Sequence, residues 1–213
     1  MNIPSSRRRK PDFYYYKAKK EGFRSRAAYK IQQLDEKFHL LKNQRLIIDL
    51  CGAPGGWSQY VLTKLSKNSK VILIDLARVK ISDENCFCFQ EDITSNSIID
   101  KIHQIMSQFN PPFTKADLVI SDCAPKMGGN YATDHARQIY LVSHAFRIAV
   151  NLKAEKFLAK VFDGSDFPNL KILIKKGYKD LRIYKPKASR SESAELYILA
   201  QGLVEDYVPP EDF

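Results

Sequence analysis

An α/β fold is predicted for this 213-residue chain, with a seven-stranded, mostly parallel sheet, an antiparallel C-terminal hairpin and helices on both faces. Three observations lead there. Short apolar runs alternate with stretches of helical periodicity, the signature of βαβ units and hence of a parallel sheet. Three of the runs carry an aspartate at or next to their carboxyl end, Asp49, Asp75 and Asp122, at the edge where open α/β sheets bind ligands. The last two runs are joined by PKASRSESA, too short for a helical crossover, so they pair antiparallel.

The elements follow in order. Residues 1–12 read as a basic, flexible arm and residues 13–203 as one domain, which a chain of this length and 44% hydrophobic content can fill with a core. A helix is expected within Tyr14 to Lys30 and beyond, opened by Ser25 as N-cap, with Ala28, Ile31, Leu34 and Phe38 on its apolar face. Strands are expected at RLIIDL (45–50), KVILID (70–75), CFCFQ (86–90), DLVISD (117–122), KFLAKVF (156–162), DLRIYK (180–185) and ELYILAQ (195–201). Helical spacing covers 57–66, 94–109, 134–152 and 166–176. In the second of these, Ile98, Ile99, Ile102, Ile105, Met106 and Phe109 trace one face. Residues 204–213, acidic and proline-bearing, read as a flexible or loosely docked tail. GGNYATDHA carries the glycines of a mobile loop.

Composition narrows the function classes. No apolar run approaches the roughly 20 residues that span a bilayer, and MNIPSSRRRK lacks a following apolar segment, which predicts a cytoplasmic protein without membrane contact. Cys51, Cys86, Cys88 and Cys123 form no CxxC pairs and the four histidines no ligand spacing, so reduced thiols and no metal are expected. Of the net charge of +10, eight units lie in residues 1–30, where ten Lys/Arg face Asp12 and Glu21. Phe13, Tyr14, Tyr15, Tyr16, Phe23 and Tyr29 interleave with those cations, as on a surface that neutralises phosphates and stacks bases. Lys17, Lys20, Arg24 and Arg26 are the candidate RNA contacts. Arg7 to Lys10 read equally well as a solvated tail.

A ligand loop follows the first strand. In DLCGAPGGWSQY the residues Gly52, Ala53, Pro54, Gly55, Gly56 and Trp57 allow close backbone approach and lead into a helix whose amides meet an anion. Neither GxGxxG nor GxxxxGK[ST] is present, which argues against a dinucleotide or a nucleoside triphosphate. A small carboxylate such as the methionine end of S-adenosylmethionine fits better. Asp75, closing the second strand, is placed for a ribose diol. Asp92 is an acceptor for an adenine amino group or an N-cap, and Trp57 a ligand contact or a core residue.

Seven strands ending in an antiparallel hairpin resemble the Rossmann-like fold of S-adenosylmethionine-dependent methyltransferases. The resemblance sharpens from about Tyr14 to Gly202. There YYKAKKEGFRSRAAYK, DLCGAPGGWSQYV, SDCAPKMGG, AKVFDG and KPKASRSESAELYILAQG resemble, in order and spacing, motifs of the FtsJ/RrmJ family of ribose 2'-O-methyltransferases. That family implies a catalytic tetrad at Lys30, Asp122, Lys160 and Glu195, with Asp122 also at the cofactor edge. Taken singly, each is an ordinary surface or strand-end charge. Together they suit removal of a proton from a barely acidic hydroxyl, with Lys160 as base, Asp122 orienting it, and Lys30 and Glu195 positioning the ribose. A lysine acts so only when neutral, and moving its pKa from about 10.4 towards 7–8 takes about 4 kcal/mol.

The motifs also select the target. Asp122 is followed by Cys-Ala-Pro, without the aromatic that base-amino methyltransferases use to stack a flipped base. A cysteine nucleophile of the pyrimidine C5 kind would leave both lysines idle, so Cys123 is read as packing. Compact size and the GGW ending resemble the branch acting on uridine in large-subunit ribosomal RNA. Cys51 is shared with the transfer-RNA branch, which stands as the alternative; cap methylation ranks third for lack of a paired-aromatic pocket. An RNA-binding assembly factor without activity is the reading of another class, and the complete tetrad and loop argue against it. The chain is expected to act as a monomer.

Overall fold

A computed structural model describes residues 12–126 and 128–210. The expected basic arm therefore lies outside the described residues up to position 11, as does the tail from 211. Seven strands form one sheet in the order β3-β2-β1-β4-β5-β7-β6. They are β1 (Leu46–Leu50), β2 (Lys70–Asp75), β3 (Cys86–Gln90), β4 (Leu118–Ser121), β5 (Lys156–Phe162), β6 (Tyr178–Tyr184) and β7 (Glu195–Leu203). The first five pair in parallel; β7 runs antiparallel to both β5 and β6. The chain steps outward from β1 to β3 and returns to β4, so the order reverses between β1 and β4. Ligands bind at that reversal, beyond the carboxyl ends of the strands.

Both faces are covered, as five parallel strands require. On one face Ile47, Val71, Ile120, Leu158 and Leu199 meet α2 (Ala28–Phe38) and α3 (Gly56–Leu62) through Ile31, Leu34, Tyr60 and Val61. On the other, Ile48, Ile72, Val119 and Phe157 meet α4 (Ile98–Ser107), α5 (Tyr131–Asn151) and α6 (Phe167–Gly177). The predicted stripe on α4 is observed, with Ile98, Ile102, Ile105 and Met106 buried and Ile99 and Phe109 half-buried at its edge. Each fully buried Leu or Ile contributes about 1.5–3 kcal/mol.

The basic aromatic segment forms two helices rather than one. Asp12 caps α1 (Phe13–Glu21) by accepting from the Tyr15 amide, and Gly22, at φ 75°, ends it. Only glycine takes that conformation at no steric cost, so the helix stops there. A turn over residues 23–27 precedes α2, whose N-cap position is Ala27; Ser25 is not the cap, and its hydroxyl has no partner among the described residues. Along the tail, the Val204 amide donates to the Gly177 carbonyl and the Tyr207 ring lies 6.1 Å from that of Phe146.

The cysteine expectation is corrected. Cys51 and Cys123 form a disulfide across 72 residues, with Cα atoms 5.0 Å apart, while Cys86 and Cys88 are free. The two cysteines follow β1 and β4, and pairing of those strands brings them within bonding range. No local spacing announces it. The bond spans the point where the strand order reverses. Among the described residues no helix is long and apolar enough to cross a membrane.

Candidate active site

Sheet topology brings the four predicted charges together. Asp122 follows β4, Lys160 lies in β5, and Glu195 opens β7, whose antiparallel course puts its first residue at the same edge as the parallel strands' ends. Lys30 reaches in from the first turn of α2. Lys160 Nζ lies 3.0 Å from Asp122 Oδ1 and donates to the Asp122 carbonyl at 2.6 Å. Lys30 Nζ stands 2.7 Å from Glu195 Oε1 and 2.9 Å from Oε2. Lys160 is 5% exposed and Glu195 9%, so these pairs sit below the surface, and Lys30 and Glu195 line a cleft of about 340 Å³.

Tyr197 joins the two pairs and was not anticipated. Its buried hydroxyl stands 3.0 Å from Asp122 Oδ1 and 3.2 Å from Glu195 Oε1, one O–H shared between two carboxylates. Burial first, then the charges of Asp122 and Glu195, push its pKa well above the usual value, so it remains a donor. A pattern in the sequence could have found it: Glu195 and Tyr197 are two apart on one strand and therefore share a face. Ser189 adds a 2.7 Å hydrogen bond to Glu195 Oε1. Around Asp122, burial favours the neutral acid, but Lys160, Lys30 and hydrogen bonds from Lys160 and Tyr197 outweigh it and hold the carboxyl below its ordinary pKa.

The glycine loop lies beside this cluster. The Gly52 amide donates to the Ile74 carbonyl at 3.2 Å, the Gly55 amide to the Gly52 carbonyl at 2.6 Å, and Gly55 adopts φ 101°. A Cβ on Gly52 would meet Leu73 Cγ at 2.6 Å, so only glycine lets the loop lie against β2. Asp75 accepts from the Ala53 amide at 2.9 Å and the Ala77 amide at 2.7 Å. Each carboxylate oxygen can accept a second bond, so Asp75 remains able to receive a diol. Asp92 Oδ1 accepts from the Thr94 amide and hydroxyl, both at 2.8 Å, while Ser97 occupies the N-cap position of α4. The loop, its two flanking acids and an orphaned buried oxygen on Asp49 suit a cofactor with a cationic end and a ribose.

Two expected contacts have other employment. Trp57, 2% exposed, donates its indole N–H to the Ala27 carbonyl at 2.9 Å and packs in the core 5.8 Å from the Tyr197 ring, so it supports the site from behind rather than facing a ligand. Arg24 donates to the carbonyls of Pro54 at 3.2 Å and Lys80 at 2.5 Å, which makes it a clasp on the glycine loop rather than a free RNA contact. Lys17 lies 4.6 Å over the Tyr29 ring; Lys20 is exposed, and Arg26 opens onto the cleft holding Lys30 and Glu195. In the GGN loop, the Gly128 and Gly129 amides donate to the Asp134 carboxylate. A cavity of about 700 Å³ between α4, α5 and α6 contains none of the tetrad, so chemistry rather than size locates the site.

Asp49 carries a pH signature. It is fully buried under the loop, accepts from the Ser58 hydroxyl at 2.6 Å, and has its pKa pushed up to about 7, chiefly by burial, with Asp122 and Asp75 adding to it. The folded state then holds this proton more tightly than the unfolded chain. Its contribution is complete below pH ~4, falls as pH rises towards 7, and is level above, a span of roughly 4 kcal/mol for a shift of this size. Asp49→Asn should remove that slope: the difference in melting temperature between variant and wild type, measured from pH 4 to 8, is expected to change across this window. A constant difference would contradict the assignment.

Comparison with known proteins agrees with this geometry. The sequence model of the FtsJ-like methyltransferases matches residues 23–203. "Ribosomal RNA large subunit methyltransferase E" of Methanocaldococcus jannaschii is 41% identical over 196 residues, covering 91% of this chain and 79% of that protein. The protein of the same name from Methanobrevibacter smithii is 39% identical, covering 90% of each. A crystal structure of a putative ribosomal RNA methyltransferase from Plasmodium falciparum superposes with a TM-score of 0.67 at 28% identity, covering 85% of this chain and 98% of that one.

Proposed function

Because this chain belongs to the FtsJ-like methyltransferase family, we propose that it is an S-adenosylmethionine-dependent enzyme that methylates the ribose 2'-hydroxyl of a uridine in large-subunit ribosomal RNA. The observation that carries the reading is the meeting of Lys30, Asp122, Lys160 and Glu195 beside the glycine loop at one sheet edge. The names of the archaeal relatives support the choice of RNA.

S-adenosylmethionine, when bound, supplies an electrophilic methyl carbon. Gly52 to Gly56, Asp75 and Asp92 would hold it, with Asp49 below. The remaining work falls to the chain's own groups. Lys160 Nζ has three substituent positions besides its carbon, and two point at Asp122. In the neutral amine the third carries the lone pair, which is left free of Asp122 to take the 2'-hydroxyl proton as the oxygen attacks. Lys30, held by Glu195, is the second cation at the cleft and orients the ribose. Tyr197 ties the two pairs so that they act at one separation. Fixing nucleophile and methyl group in line accounts for a share of the rate comparable to the base.

The test is transfer of labelled methyl groups from S-adenosylmethionine to ribosomal subunits and total transfer RNA, followed by mapping of the modified nucleotide. A 2'-O-methyluridine in the large-subunit RNA is expected. Label confined to transfer RNA would move the enzyme to the alternative branch, and label on a base would overturn the tetrad's role.

A further inference from the structure

Asp12 is the first described residue, and both of its carboxylate oxygens are engaged. Its Oδ1 caps α1, while its Oδ2 pairs with Arg26 Nη1 and lies 3.5 Å from Arg190 Nε. Two guanidiniums thus face one carboxylate oxygen. Arg26 is further fixed by a hydrogen bond from Nη2 to the Ala188 carbonyl, and its Nε is buried with no partner among the described residues. Burial first, and then the neighbouring Arg190, push the Arg26 guanidinium down from its ordinary pKa, while Glu195 and Glu192 act in the opposite direction. With one oxygen committed to the helix cap, the carboxylate offers a single acceptor to two guanidiniums and leaves a donor unmet. A phosphodiester, with two non-bridging oxygens, matches the forked donors of arginine better.

The position of the pair supplies the second line of argument. Arg26 and Arg190 line the cleft of about 340 Å³ that contains Lys30 and Glu195. They also line a second cleft of about 710 Å³ shared with Asp12, Phe13, Tyr14, Lys187 and Glu192. The arginines therefore stand at the junction of a basic, aromatic approach and the catalytic cleft, and Asp12 sits across it.

We infer that Arg26 and Arg190 form a binding site for the RNA phosphodiester next to the target ribose, that Asp12 fills this site as a carboxylate surrogate in the free protein, and that RNA displaces it. The inference rests on the RNA reading above and adds to it an anion site and its internal competitor. Displacing Asp12 is feasible because its side chain is 33% exposed, and partly exposed ion pairs are weak. The competitor penalises anions that offer fewer contacts than RNA, which sharpens selection for the polymer.

Asp12→Asn tests this without breaking the helix, because asparagine caps as well as aspartate does. Asp12→Ser repeats the test with another capping side chain. Both variants are expected to bind an in vitro transcript of large-subunit ribosomal RNA about 3- to 10-fold more tightly than wild type, with KM lowered in step and kcat at saturating RNA unchanged. Arg190→Gln should weaken RNA binding about 10-fold and, combined with Asp12→Asn, abolish most of the gain, the coupling expected of groups in contact. Glu205→Gln, which removes a remote exposed acid, should give no gain. The inference fails if the Asp12 variants, melting as wild type does, bind RNA no better, or if the gain survives intact with Arg190→Gln. It also fails if Glu205→Gln matches the gain, since net charge alone would then explain it. If wild type itself methylates no RNA, the underlying reading falls and this site with it; if wild type methylates RNA and the Asp12 variants behave like it, only this inference falls.

Discussion

Replacing Lys160 with alanine is expected to lower methyl transfer to RNA by about 10²- to 10⁴-fold, with S-adenosylmethionine binding unchanged, the range typical for loss of a positioned general base. Lys160 alone among the tetrad's cations is anchored twice to Asp122, through the carboxylate and the backbone carbonyl. It lies in the middle of β5, where its pairing with Tyr197 of β7 fixes its height above the sheet. The substitution also strips the half-buried Asp122 carboxylate of its cation while leaving its Tyr197 hydrogen bond, so the cost should fall below the roughly 3–5 kcal/mol of fully buried pairs. Thermal melts with and without S-adenosylmethionine separate the effects, since a folded variant that binds the cofactor but does not turn over has lost chemistry rather than structure. Lys160→Met, which preserves the apolar stem, should show the same loss of rate with less loss of stability. Activity within about threefold of wild type in either variant would remove Lys160 from the role of base.

The second large effect is expected at Gly52. Gly52→Val should weaken S-adenosylmethionine binding by at least about 10-fold and destabilise the fold by about 1–3 kcal/mol, the usual cost of forcing extra atoms into packed surroundings. The Cβ alone would stand 2.6 Å from Leu73 Cγ and 3.0 Å from Asp49 Oδ2. Leu73 is 1% exposed in β2 and Asp49 is wholly buried in β1, so neither side chain has room to retreat, and the loop itself must lift. Lifting it breaks the Ala53 amide bond to Asp75, which couples the loop to an acid proposed to hold the cofactor. Gly128→Ala is the control, because there the nearest atom to a new Cβ is 3.5 Å away, an ordinary contact. Isothermal titration with the cofactor measures both variants, and equal affinities would show that the loop tolerates displacement.

Much of this was legible in the sequence because the information is local. β2, β3 and β5 begin and end where their apolar runs do, and the stripe on α4 faces the sheet as its spacing requires. The glycine loop and the four charges sit in short runs whose resemblance to a family needed no coordinates. Boundaries set by backbone geometry were less legible. Gly22 divides the basic aromatic segment into two helices, and Ser25, a good cap by type, lies in the turn before α2. Local preference for a cap is worth about 1 kcal/mol and yields to the packing of Tyr29 and Ile31.

Other features are non-local. Trp57 stood beside the ligand loop in sequence but is claimed by Ala27 and the core in space. Arg24 was one cation among ten and proves to clasp two loops that lie 30 and 56 residues away. Cys51 and Cys123 have no relation until β1 and β4 pair. The chain's own pattern thus determined its fold class, its family and the four charges that the sheet gathers at one edge, since hydrophobic period and motif spacing are properties of neighbours along the chain. Only the tertiary structure decided that Tyr197 links the two ion pairs, that Asp49 is buried and holds its proton to about pH 7, and that Asp12 lies between Arg26 and Arg190. Those are matters of distance and desolvation between segments far apart in sequence, and they exist only once the sheet has brought the segments to one edge.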